Sequence, residues 1–294
     1  MKNLKIPERH SGSMTEYKFG KLAPKFDKRT LQLSTVLKVL PPIPPQFDVD
    51  IGKCTPLRMF ANDSWGDCVI AARANQTLRF EQFEQGIIMD IKDSDVLKEY
   101  WKEQGACLRH PDNGLVVLDS LKKWRTGWTV AARDYNIFAF GEVNTFNHSN
   151  VMAAVFLLDG AIAGLQLPAT AHQQFEQDMP WDVAPGPGAN PGSWGGHCIY
   201  LCGFSPKGPV CETWAKKVQM TWAFWDRYAD ECFGTVDNRD SFLAKSPVNT
   251  ALLDDYLTTV TRFWPNPRST RHSSTITSTA LRKPEQATAR PGRV

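Results

Sequence analysis

The stretch Asn62-Asp63-Ser64-Trp65-Gly66-Asp67-Cys68-Val69-Ile70-Ala71-Ala72 constrains this chain more than any other. A loop of turn formers runs into a cysteine, and Val69, Ile70, Ala72, Ala74, Leu78, Phe80 and Phe83 then recur at helical spacing until Gly86. The pattern predicts a largely buried helix with Cys68 in its first turn. Unpaired N–H groups and the positive end of the helix dipole favour a thiolate there, so the position suits a nucleophile that titrates below the usual thiol value. Asp67 is of N-cap type, but a carboxylate beside Cys68 opposes thiolate formation.

A thiol nucleophile needs a base. His197 lies about 130 residues downstream, in Trp194-Gly195-Gly196-His197-Cys198-Ile199-Tyr200-Leu201-Cys202. Two glycines allow close backbone approach, and the apolar run after them reads as a buried strand that opens on the histidine. The remaining histidines, His10, His110, His148, His172 and His272, sit in no comparable setting.

With these residues in this order, the chain resembles the papain-like (C1-type) cysteine peptidases. The carboxamide of Asn62, six residues before Cys68, matches the family's oxyanion-hole glutamine. Glu212-Thr213-Trp214 is similar to the family's Asn-Ser-Trp segment, with Trp214 on the tryptophan and Glu212 on the asparagine that orients the histidine. Asp112-Asn113-Gly114-Leu115 resembles the loop whose backbone binds extended substrate. The family's first cysteine before the nucleophile, and its disulfide, are missing. The resemblance covers roughly residues 46–240 and implies an α+β, papain-like fold: a helical half (about 46–127) and a β-barrel-like, strand-rich half (about 128–240), with the active-site cleft between them. It further implies acyl transfer by Cys68, with His197 as base, Asn62 in the oxyanion hole and Glu212 orienting the imidazole. Gly66, Trp65, Gly114, Asn113, Trp194, Gly196 and Trp214 are the implied substrate-binding residues. A peptide or protein substrate follows, and no metal or organic cofactor. Two other readings stay open. One is a catalytically inactive papain-like binding or structural module, as in a phage or bacterial assembly. The other is a Cys–His amidase or transamidase acting on a non-protein amide.

Composition removes other classes. At 294 residues and 42% hydrophobic content a substantial core can be buried. A net charge of +3, spread along the chain, gives no reason to expect nucleic acid. Neither a membrane span nor an apolar signal core is evident, so a soluble protein is expected. The seven cysteines are odd in number and lack zinc-site spacing, which fits free thiols in a reducing, cytoplasmic-type compartment.

Along the chain, residues 1–45 are basic and close in Pro41-Pro42-Ile43-Pro44-Pro45. Their composition fits an arm or linker, with a short inhibitory segment as the other reading. Residues 46–262 form the expected catalytic domain. Within it Ser94 is expected to cap a helix through Trp101, and Leu115–Trp124 and Asn150–Leu158 to be helices. Strands are expected over Trp128–Phe140, Ala161–Leu167, His197 onward and Val210–Trp214. Gln173–Ser193, with four prolines, reads as a loop that rims a cleft. Residues 263–294, rich in Ser, Thr, Arg and Pro, are expected to be disordered.

Overall fold

The computed structural model describes residues 17–36, 42–53, 55–105 and 112–237. The expected disordered tail therefore lies outside the described residues. In chain order the elements are α1 (Leu33–Val36), β1 (Phe47–Asp48), α2 (Cys68–Gln85), α3 (Asp93–Glu103), α4 (Val117–Thr126), β2 (Trp128–Val130), β3 (Arg133–Tyr135) and β4 (Ala139–Glu142). They continue with α5 (His148–Leu157), β5 (Ala161–Leu167), α6 (Ala169–Glu176), β6 (Gly195–Ser205), β7 (Gly208–Thr213), β8 (Lys216–Gln219), α7 (Trp222–Tyr228) and β9 (Ala229–Val236). The fold is α+β and papain-like.

Helix α2 begins at Cys68 and stops at Gly86, whose left-handed φ of 67° closes the last turn. It is buried on nearly all sides, so its two arginines take their carboxylate partners from inside the protein. Arg73 bonds the Glu103 carboxylate and Ser120 Oγ and lies against the rings of Trp124 and Trp128. Arg79 pairs with Asp50 at 3.0 Å and Glu212 at 2.8 Å. Helix α3 starts at Asp93, not after Ser94: the Asp95 carboxylate accepts the Lys92 N–H and fixes the first turn two residues earlier.

The main sheet has seven antiparallel strands, in the order β4-β9-β5-β6-β7-β8 with β1 also on β6. Along β6, Cys198, Tyr200 and Cys202 join the core around α2, α3 and α4, while Ile199 and Leu201 join the core that includes α5, α6 and α7. This period of two buries both faces of the strand, which is why its sequence is apolar throughout. The expected strand Trp128–Phe140 is instead the hairpin β2–β3 followed by β4, because Ala131 and Ala132 turn the chain at positive φ. The expected rim loop 173–193 begins inside α6, and Trp181 within it is fully buried with its indole N–H on Ala171 O.

Residues 17–36 do not form a free linker. Lys21 bridges Leu115, Gln32 bridges Glu142, and Leu33 enters the core beside β4 and β9. The first part of this arm crosses the junction of α2 and β6.

Candidate active site

Cys68 opens α2, and its Sγ accepts a hydrogen bond from Cys198 N at 3.4 Å. Helix start and histidine strand thus meet at the thiol, as the sequence predicts. His197 shares a strand face with Ile199 and Leu201. Its Nε2 is 2.6 Å from Thr213 Oγ1, and its Nδ1 is buried with no hydrogen-bond partner among the described residues. Trp214 stacks on the imidazole, with centroids 3.9 Å apart and planes 15° apart. The tight β7–β8 turn at Trp214 and Ala215, both at positive φ, brings that indole over the ring.

Glu212 is not placed to orient His197. Its carboxylate pairs with Arg79 of α2 and accepts the Arg58 N–H at 3.2 Å. Successive residues of β7 point to opposite faces, so Thr213 takes the histidine side and Glu212 the helix side. The phase of β7 was illegible because Val210 and Cys211 are both apolar.

Asn62 follows the positive-φ pair Phe60 and Ala61 and is buried. Its amide donates to Trp65 O at 2.9 Å and to Asp67 Oδ1 at 3.0 Å. Asp67 therefore does not cap α2 through its side chain. Burial holds its carboxyl well above the usual range, against the Asn62 hydrogen bond.

The arm fills the rest of the cleft. Lys18 N donates to Asn62 O, Lys21 N to Gly196 O and Leu22 N to Leu115 O, while Gly20 O accepts from Leu115 N at 2.7 Å. The Gly20 N–H is one of the donors that lower the Cys68 thiol. Gly20 is pressed so closely on Gly66 and Gly114 that a Cβ would overlap their backbones or its own partner's. Phe19 packs on Trp194, Trp214 and His197, with centroids 5.2, 5.7 and 5.8 Å apart. Of the expected substrate-binding residues, Gly66, Gly114, Gly196, Trp194 and Trp214 line this arm. Trp65 instead packs edge-on to Trp101, at 5.0 Å between centroids. Asn113 is exposed, and its N–H donates to Gln104 Oε1. The sequence reading missed Thr213 and the arm residues Phe19, Gly20 and Lys21; a glycine between an aromatic and a lysine carries no signal by itself.

With the arm seated, Cys68 is 1% exposed and His197 fully buried. Burial pushes the thiol up to about 12, against the donors Cys198 N and Gly20 N, so the helix terminus does not win in this state. Burial also lowers His197 to about 3. The pair is a neutral thiol and a neutral imidazole.

No family model matches the chain, and no curated protein matches it significantly in sequence. The arrangement of a helix that opens at Cys68 against the strand that carries His197 belongs to the fold class, a papain-like architecture shared with cysteine proteases of known structure. Xylellain, a cysteine protease from Xylella fastidiosa, superposes with a TM-score of 0.60 over 80% of this chain and 100% of its own, at 13% identity. The cysteine protease and lectin-like domains of Cwp84, a surface layer associated protein of Clostridium difficile, give 0.52 over 76% of this chain and 57% of theirs, at 8% identity. Among the described residues no helix is long and apolar enough to cross a membrane.

Proposed function

We propose that the chain is a cysteine-type peptidase held in a self-occupied form. The observation that carries this is the peptide already threaded across Cys68, paired through its main chain with Asn62, Leu115 and Gly196. A cleft that accepts its own arm in this way has the donors and acceptors to hold an extended substrate. The arm itself escapes attack because Gly20 presents its N–H to the thiol while its carbonyl faces Leu115.

Once the arm leaves, water reaches Cys68 and His197, and the proton passes from Sγ to His197 Nδ1. Thr213 Oγ1 accepts the Nε2 proton and fixes the tautomer in which Nδ1 is the base. The thiolate attacks the scissile carbonyl, with the Cys68 N–H stabilising the oxyanion, since both Asn62 Nδ2 hydrogens are held by Trp65 O and Asp67 Oδ1. The C–N bond breaks as His197 gives its proton to the leaving amine. Water, deprotonated by the same imidazole, then hydrolyses the thioester and restores the thiol.

A second reading, a catalytically silent binding module, is favoured by the complete burial of Cys68. Full-length Gly20→Val separates the two, because the added side chain overlaps the Gly66 backbone and drives the arm out while the chain stays intact. The peptidase reading expects this variant to incorporate a thiol-directed epoxide at Cys68 and to hydrolyse a peptide library above the level of Gly20→Val/Cys68→Ala. Accessible Cys68 with no hydrolysis above that blank would establish the silent module.

A further inference from the structure

One side chain of the arm enters a pocket built for charge. Lys21 lies next to the residue seated over the thiol, and its side chain is 0% exposed. Its Nζ is 2.8 Å from Asp230 Oδ2 and 3.2 Å from Glu231 Oε1, both on β9. Gln166 Nε2 donates to the same Asp230 oxygen at 2.7 Å. Gly164 of β5 leaves the space for the lysine stem, since a Cβ there would overlap Lys21 Cε. The Glu231 side chain is 4% exposed, and its Oε2 has no hydrogen-bond partner among the described residues. Burial raises the Glu231 carboxyl to about 7, even with the Lys21 ammonium beside it.

When the arm departs, Asp230 and Glu231 remain side by side without their cation. Such a site gains most from another cation on a flexible stem, and loses most from an apolar or acidic side chain. We propose that the Asp230–Glu231 pocket is a specificity subsite that selects lysine or arginine in the substrate. This rests on the peptidase reading of the cleft for its catalytic consequence, but the pocket itself is a binding site. Phe19 lies against Trp214 and the His197 ring that would protonate the leaving amine, and the chain runs on past Gly20 at the thiol to Lys21, which thereby takes the acyl side. The basic residue is therefore the second before the scissile bond. The residue between is glycine, because a Cβ at Gly20 would overlap the Gly66 backbone.

Two measurements separate failure of the subsite from failure of the peptidase reading. In the first, Gly20→Val cleaves internally quenched peptides that differ only at the residue before a glycine. Lysine and arginine should exceed leucine by at least about tenfold in kcat/KM, with glutamate poorest, and Glu231→Gln or Asp230→Asn in that background should bring the ratio toward one. In the second, Gly20→Val/Cys68→Ala binds a synthetic peptide of residues 17–22. The same peptide with Lys21→Met should bind about tenfold or more weakly, a ratio that falls when Glu231 is Gln. Equal binding of the two peptides, or equal cleavage of lysine and leucine substrates, overturns the subsite. Absence of all cleavage with the binding preference intact overturns the peptidase reading alone and leaves the subsite standing.

Discussion

Two neighbouring residues on β7 face different partners, Thr213 the imidazole and Glu212 the arginine of α2. Thr213 holds the imidazole at 2.6 Å, so Thr213→Val in the Gly20→Val background should lower kcat/KM about ten- to a hundredfold, or about 1.4–2.7 kcal/mol of barrier. Thr213→Ser keeps the hydroxyl and should recover most of that loss. Glu212 touches Arg79 and the Arg58 amide, so Glu212→Gln should lower stability by about 1–3 kcal/mol in urea unfolding while the rate in the same background changes little. A drop in kcat/KM for Glu212→Gln as large as that for Thr213→Val would return the carboxylate to the site. Burial raises Glu212 to about 7 against the pull of Arg79. Its neutral form is favoured by folding, a contribution complete below its ordinary carboxylate range and lost as pH rises through about 7.

At the scale of elements, α2 is the scaffold that the site depends on. Because it is buried all round, it carries its arginines inward, and each needs its carboxylate. Arg73→Ala leaves Glu103 buried with its cation gone, and should cost about 3–5 kcal/mol, read from the urea midpoint. The double replacement Arg73→Met/Glu103→Leu removes both charges and should recover most of that loss; a double variant no more stable than the single would show that the ion pair is worth more than its desolvation cost. The arm is the opposite kind of element. Its residues 17–22 are held by a few backbone bonds and two anchors, Phe19 and Lys21, and such a segment can open without unfolding the domain.

For the molecule as a whole, the arm and the Cys68–His197 pair are coupled through protons. His197 refuses a proton until about pH 3 when covered, but takes one near its ordinary 6.5 when exposed. The covered state therefore keeps its full advantage above about pH 6.5 and loses it progressively as pH falls toward 3. Protection of the Lys21 and Leu22 amides against hydrogen exchange, corrected for intrinsic rates, should fall by roughly a hundredfold between pH 7 and 4.5. A flat profile would mean that the ring stays buried, between Thr213 and Trp214, when the arm opens. The sequence by itself determined the helix that begins at Cys68 and ends at Gly86, the strand that carries His197, and the order of both in a papain-like chain. Local periodicity and turn chemistry suffice for those, because each is written within one contiguous segment. Only the tertiary structure decided which β7 residue meets the imidazole, that the thiol sits neutral beneath Gly20, and that Lys21 fills an acidic pocket on β9. Strand phase, desolvation and contacts between residues some two hundred positions apart arise from packing, and no single segment encodes them.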